Sequence, residues 1–330
     1  MLRRPRRNRR SETLRGLVRE VHVLPGNLIF PLFLIKGRNQ KIAIDSMPGI
    51  FRYSLDLLLE EIEDCMQLGL RSFALFPALD DKLKDAQATE SKNAQGLYPE
   101  AIRQIKARFP EACLMSDVAM DPYSSDGHDG LVKDGHILND ETLPILAEMA
   151  LVQAQAGIDL IGPSDMMDGR IRAIRQKLDQ NGYTDTGIIS YTAKYASAFY
   201  GPFRDALDSA PKFGDKKTYQ MDYGNRKEAL LEAKLDEEEG ADLLMVKPAL
   251  SYLDIIYSLS TASLLPVAAY NVSGEYAMAK AAAAKGWVDG TDIMLEKLTS
   301  IRRAGSQVIL TYFAKEFAEW YLKQSGLLTV

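Results

Sequence analysis

Eight short apolar, β-rich runs alternate with segments of helical periodicity along this chain, and that alternation restricts the fold more than any other feature. The runs cover residues 28–35, 72–77, 112–119, 158–163, 187–192, 241–246, 266–271 and 307–312. Most are continuously apolar, the pattern of parallel strands buried on both faces. Between them, 54–68 carries Leu57, Leu58, Leu59, Ile62 and Met66 at helical spacing. Segment 141–156 lies between Asp140, a suitable N-cap, and Gly157, a suitable C-cap. Segments 225–239 and 276–285 stop in the same way at Gly240 and Gly286. Strand–helix alternation repeated eight times predicts an α/β fold, a (β/α)8 TIM barrel. Such a barrel needs roughly 250 residues. A chain of 330 therefore has room for an extended N-terminal arm over 1–25 ahead of a catalytic barrel over 26–330.

Charge and cysteine content narrow the function. The formal net charge is -5, which does not suggest a nucleic-acid partner. Six arginines, Arg3, Arg4, Arg6, Arg7, Arg9 and Arg10, nevertheless crowd the first ten positions. They read as a solvated tail, an RNA-binding arm, or an arm docking on a neighbouring subunit. The only two cysteines, Cys65 and Cys113, lack metal-type spacing and do not indicate a disulfide framework, so a reducing cytoplasm is the simplest compartment. No apolar run approaches the roughly 18 residues needed to span a bilayer, so no membrane role is expected.

In this fold, active sites gather where strands end and βα loops begin. The third run ends near Asp117 and continues into Asp121, the fourth ends at Ser164-Asp165, the fifth at Lys194, the sixth at Lys247, the seventh at Ser273 and the eighth at Tyr312. Lys247 follows Leu243-Leu244-Met245-Val246 and precedes Pro248, which helps end the strand. Alone it could snorkel to solvent. Held against apolar walls, it would lose proton affinity and become a nucleophile toward a ketone or aldehyde. Lys194 ends the preceding strand, and neighbouring parallel strands lie about 4.8 Å apart. Two amines in one pocket would depress at least one pKa further and suit the capture of two carbonyl substrates. The segment from Tyr195 through Phe199, Tyr200, Phe203 and Arg204 to Phe213 and Lys216 reads as a lid. Its aromatics would exclude water while Arg204 and Lys216 hold a substrate carboxylate.

These residues resemble a known family. Met245-Val246-Lys247-Pro248 with Tyr252-Leu253-Asp254 is similar to the Schiff-base signature of porphobilinogen synthases, also called 5-aminolevulinate dehydratases. The segment from Tyr191 to Arg204 resembles that family's second-lysine segment. Pro163-Ser164-Asp165-Met166-Met167-Asp168-Gly169-Arg170, Asn271-Val272-Ser273-Gly274-Glu275, and Arg302-Arg303-Ala304-Gly305 leading to Thr311-Tyr312 also match, in order, over nearly the whole chain. The resemblance implies a lyase that condenses two molecules of 5-aminolevulinate into porphobilinogen, with loss of two waters, in tetrapyrrole (heme and chlorophyll) biosynthesis. It implies Schiff bases on Lys194 and Lys247, with Asp117 as an active-site acid. Arg204, Lys216 and Gln220 would bind the carboxylate of one substrate, and Ser273 and Tyr312 that of the other. The family often has arginine where Lys216 stands, and lysine keeps the charge but loses the bidentate fork.

Many members bind a catalytic zinc through three cysteines after the third strand. The matching positions here are Ala119, Asp121 and Asp129, without a thiolate, so no catalytic zinc is expected. Asp121 and Asp129 could bind Mg²⁺ or a monovalent cation, or simply hydrogen-bond within the loop. His128 is not assigned as a ligand. Magnesium-responsive members bind an allosteric Mg²⁺ at a subunit interface through a glutamate matched here by Glu232. The resemblance also implies a homo-oligomer, an octamer assembled through the arginine arm. The alternative enzyme, a class I Schiff-base aldolase, needs one such lysine and usually a phosphate site, and no glycine-rich phosphate loop follows the seventh run.

Overall fold

Strands that are apolar on both faces need cover on both, and a barrel closed on itself inside a ring of helices supplies it. The computed structural model describes residues 1–207 and 211–325. Its barrel strands are β1 (Leu28–Ile35), β2 (Ser72–Ala78), β3 (Cys113–Met115), β4 (Leu160–Ile161), β5 (Gly187–Lys194), β6 (Leu243–Lys247), β7 (Val267–Asn271) and β8 (Val308–Thr311). Every barrel pairing is parallel, and β8 closes on β1 through Leu28↔Ile309 and Ile29↔Leu310. The expected (β/α)8 barrel is present. A strand at Phe51–Ser54 extends β1 on its outer side and pairs antiparallel with Lys41–Ala43.

Strands β3 and β4 are shorter than their apolar runs. Beyond Met115↔Leu160 the chains stay hydrogen-bonded through the Val118↔Pro163 bridge. Helix Leu55–Gln67 buries Leu58, Ile62 and Met66 of the expected stripe together with Glu61 and Cys65, whereas Leu57 and Leu59 are only partly buried. Helix Asn139–Gln155 starts two residues before the expected position, with Leu138 at the N-cap, so Asp140 lies in the first turn instead. Helix Lys227–Glu239 ends at Gly240, whose φ of +104° suits glycine and lets its N–H reach the carbonyls of Asp236 and Glu237. Helix Ser273–Ala284 begins three residues early because Glu275 Oε2 accepts the N–H of Val272 at 2.9 Å. Ser273 therefore opens a helix rather than ending a strand.

The arm contains a 3-10 turn at Pro5–Arg9 and a helix at Glu12–Leu17, capped by the Ser11 side chain on the Leu14 N–H. None of its six early arginines is buried. Phe33, Phe76, Tyr191, Tyr270 and Tyr312 form a ring-contact layer across the barrel. Centroid separations are 6.1 Å for Phe33–Tyr312, 6.4 Å for Phe76–Tyr270 and 6.5 Å for Tyr191–Tyr270. This layer floors the site described next.

Candidate active site

Parallel register brings the two lysines together. Lys194 and Lys247 are the last residues of β5 and β6 and are direct Cα partners. Both are buried. Their ammonium positions lie 6.0 and 5.0 Å from the centroid of the same Tyr191 ring. Beyond that ring their surroundings differ. Lys194 Nζ donates to the Ser164 carbonyl and lies 3.5 Å from Asp129 Oδ2. Lys247 Nζ sits among aromatic faces, 4.8 Å from Tyr270, 5.1 Å from Phe203 and 5.2 Å from Tyr200. Burial, then repulsion from Lys194, pushes the Lys247 pKa down to about 7, although Asp117, Asp121 and Asp129 pull the other way. An amine in that condition is largely available as a nucleophile near neutrality.

The acids at the third strand end are also shifted. Burial raises the Asp117 carboxyl, against the Ser164 hydroxyl and the two lysines. Burial raises Asp121 to about 7 despite Lys216. Burial works against the Asp129 carboxylate as well, but Lys194 and Lys216 overcome it and hold its pKa below the usual range. Lys216 Nζ is shared between Asp129 Oδ1 at 2.7 Å and Asp121 Oδ2 at 3.2 Å. The lysine expected to meet a substrate carboxylate thus has two protein carboxylates of its own.

The remaining expected residues surround this cluster. Arg204, on helix Gly201–Leu207, is half-buried, and its side chain has no hydrogen bond or ion pair among the described residues. Gln220 is buried with Oε1 unpartnered. Tyr312 and Tyr270 share a hydroxyl contact of 2.9 Å. Ser273 Oγ accepts the Phe203 N–H at 3.0 Å and donates to the Phe199 carbonyl at 3.3 Å. The lid is therefore seated on the start of helix Ser273–Ala284. A Cβ at Gly274 would come within 2.5 Å of the Phe199 oxygen, so glycine is required for that approach. His128, which the sequence left unassigned, also ties the lid down: Nδ1 is 3.1 Å from the Tyr219 hydroxyl and Nε2 is 3.0 Å from the Phe213 carbonyl. Sequence reasoning missed Tyr191 and Tyr270 as walls of the Lys247 box. Their signal was position alone, since each lies inside an apolar strand run.

The sequence offers Asp121 and Asp129 as a site for Mg²⁺ or a monovalent cation, or as hydrogen-bonding residues of the loop, and Glu232 as a Mg²⁺ ligand. Asp121 and Asp129 fit a metal ion poorly, because both carboxylates are already paired with Lys216 and Asp129 also lies beside Lys194. Glu232 lies apart from this cluster, half-buried beside a cleft of about 290 Å³ that also includes Asn139, Asp168, Asn225 and Glu228. Burial raises its pKa to about 7; Arg170 opposes this, and Asp236, Asp168 and Glu228 reinforce it. No group of three or more His, Cys, Asp or Glu side chains among the described residues converges to hold a metal ion. The oxygen-rich Glu232 cleft instead suits a cation that keeps most of its waters, as magnesium does.

A closed parallel barrel whose mouth holds two buried lysines on adjacent strand ends defines a (β/α)8-barrel enzyme equipped for amine chemistry. Comparison with known proteins narrows the class. The family model described as delta-aminolevulinic acid dehydratase matches residues 2–320. The chain is 54% identical over 319 residues to the chloroplastic delta-aminolevulinic acid dehydratase of Physcomitrium patens, covering 96% of this chain and 74% of that protein. It is 53% identical over 312 residues to the delta-aminolevulinic acid dehydratase of Chlamydia pneumoniae, covering 94% of each. It also superposes with a TM-score of 0.97, at 51% identity, on the crystal structure of the Toxoplasma gondii ME49 enzyme in complex with the reaction product porphobilinogen, covering 100% of this chain and 95% of that one. The chain belongs to the delta-aminolevulinic acid dehydratase family.

Proposed function

We propose that this chain condenses two molecules of 5-aminolevulinate into porphobilinogen, with loss of two waters, as a step of tetrapyrrole synthesis. The observation that carries the reading is the Lys194↔Lys247 register, with Lys247 boxed by aromatic rings. In each Schiff base, a lysine amine adds to a substrate ketone and the carbonyl oxygen leaves as water. Lys247, poised near pH 7, attacks readily. Asp117, whose carboxyl burial pushes toward the protonated form, is placed to donate and retrieve protons beside both amines. Arg204, which has no ion-pair partner among the described residues, would hold one substrate carboxylate. Ser273 and Tyr312 serve the other, and Ser273 reaches it when it releases the lid backbone. The test is borohydride trapping with 5-aminolevulinate. The reading requires substrate mass on Lys247 or Lys194, and a trapped adduct elsewhere, or none, would remove it.

The carboxylate sites give a first expected result. Arg204→Ala should raise KM roughly 10- to 100-fold, the loss of a charge-assisted interaction worth about 1.5–3 kcal/mol. Lys216→Ala should do more, lowering kcat as well, because it leaves buried Asp121 without its cation and Asp129 with Lys194 alone. Saturation curves distinguish the two, and an unchanged KM in Arg204→Ala would take Arg204 out of the site.

The active site is proposed to work without zinc. Magnesium at Glu232 would act on assembly by neutralising carboxylates at a contact between subunits. The arginine arm is proposed to reach a neighbouring copy there, in a homo-oligomer up to an octamer. The domain division proposed is an arm over 1–25 and a barrel over 26–330. The cytoplasm is the proposed compartment, supported by two free cysteines, although several plant and algal relatives carry chloroplastic names. Among the described residues, no helix is long and apolar enough to cross a membrane. Glu232→Ala should abolish stimulation by Mg²⁺ while activity in chelator persists, and should reduce the largest oligomer. Activity and oligomer size measured together against Mg²⁺ decide this, and a parent-like response in the variant sinks the assignment.

A further inference from the structure

Asp117 stands where the β2–β3 ladder stops. In a parallel pair, alternate residues of each strand make the rungs. Here Ser72, Phe73 and Ala74 face Cys113, Leu114 and Met115, and the Cys113 N–H donates to the Arg71 carbonyl at 2.8 Å. Continuing that register sets the Asp117 N–H toward the Leu75 carbonyl and the Asp117 carbonyl toward the nitrogen of Pro77. Neither rung forms. Pro77 has no N–H to give. The Tyr98 hydroxyl occupies the other rung, accepting the Asp117 N–H at 3.1 Å and donating to the Leu75 carbonyl at 2.7 Å. Gln153 Nε2 supplies the donor that Pro77 lacks, at 3.1 Å from the Asp117 oxygen.

On its other side the same segment remains laddered. Ser116 N–H donates to the Leu160 carbonyl at 2.8 Å and Val118 N–H to the Gly162 carbonyl at 3.0 Å. Tyr98 and Gln153 are 3% and 1% exposed and come from two different outer helices, Leu97–Arg108 and Asn139–Gln155. A direct rung would hold nitrogen and oxygen about 2.9 Å apart. A whole hydroxyl group interposed between them holds the strands open.

We infer that Tyr98, Pro77 and Gln153 are positioning residues that replace two rungs of the barrel, part β3 from β2 at its mouth, and set the Asp117 carboxyl against Lys194 and Lys247. This rests on the proposed role of Asp117. Tyr98→Phe keeps the ring but removes the wedge, so Asp117 N–H and Leu75 C=O must either close on each other or stay unpaired. Closing moves Asp117, and a misplacement of about 1 Å can cost roughly 10²-fold in rate. Arg204, Ser273 and Tyr312 lie on elements other than β2 and β3 and stay in place. Tyr98→Phe and Gln153→Met should therefore each lower kcat about 10- to 100-fold, with KM within about twofold.

The experiment is steady-state kinetics of the full chain with 5-aminolevulinate. The set comprises the parent, Tyr98→Phe, Gln153→Met, Asp117→Asn, and each of the first two variants combined with Asp117→Asn. Near-UV circular dichroism checks folding. If the residues act through Asp117, adding Tyr98→Phe or Gln153→Met to Asp117→Asn costs little more. Full multiplication of the losses, or a kcat that stays at the parent value in both single variants while Asp117→Asn is crippled, overturns the positioning role. An Asp117→Asn enzyme with parent activity instead removes the role of Asp117 itself. Because the two helices contribute independently, a misfolded Tyr98→Phe leaves Gln153→Met to decide.

Discussion

Lys247→Ala should lose turnover by roughly three orders of magnitude or more, the scale expected when a covalent nucleophile is removed. The barrel should still fold, because Lys247 ends its strand and contributes a charge to a box of rings rather than apolar filling. Its role also predicts the pH behaviour. Only the neutral amine attacks a ketone, so kcat/KM should rise with pH through about 7, where burial and Lys194 have moved this group, rather than near its ordinary 10.5. Stability carries the same signature. Between about pH 7 and 10.5 the unfolded chain binds more protons at this lysine than the folded chain does, so unfolding free energy rises with pH across that window. Lys247→Met should flatten that rise. Pyrrole formation, borohydride labelling of the two lysines and urea melts at several pH values measure all of this. Retained turnover in Lys247→Ala would place the chemistry on another group.

The barrel was legible because its strands are short, apolar and evenly interrupted. The lysine pair was legible because each lysine follows such a run at the point where barrel sites gather. What stayed hidden depends on contacts that no periodicity encodes. Lys216 reads as a free cation for substrate, yet its partners Asp121 and Asp129 lie 95 and 87 residues away in sequence. Tyr191 and Tyr270 read as strand core because they are strand core, and become walls of the site only when the register turns them toward Lys247. Ser273 was placed at a strand end, whereas Glu275 captures the preceding N–H and starts a helix there. The third run looks like eight strand residues, but Pro77 and the Tyr98 hydroxyl end its pairing with β2 before Asp117.

The largest loss of stability is expected at Arg170, which the sequence offers only as the last residue of a signature segment. In the fold it opens helix Arg170–Gln180 and is 2% exposed. Its guanidinium lies 3.8 Å from Asp165 and 3.5 Å from Asp236, and Nη2 donates to Ser190 Oγ at 3.2 Å and to the Tyr191 carbonyl at 3.4 Å. Ser190 Oγ in turn donates to Asp236 Oδ2 at 2.6 Å. One cation thus joins the loop after β4, strand β5 and helix Lys227–Glu239. Arg170→Met preserves much of the volume but strands two carboxylates in the interior, which should cost about 3–5 kcal/mol. The cost should depend on pH. Burial already raises Asp165 to about 7 against the pull of Arg170, so removing Arg170 raises it further. A buried carboxyl with a raised pKa loses stability as pH climbs from its ordinary 3.8 toward the folded value. The parent suffers the same fall up to about pH 7, so the deficit of Arg170→Met should widen from about pH 7 upward, over roughly the next two units, where Asp165 is ionised in the parent but not yet in the variant. Urea midpoints at both ends of that range test this, and replacing Asp165 and Asp236 by asparagine in the same chain should recover much of the loss. A variant equally destabilised at every pH would mean that Arg170 acts through packing, with its charge contributing nothing.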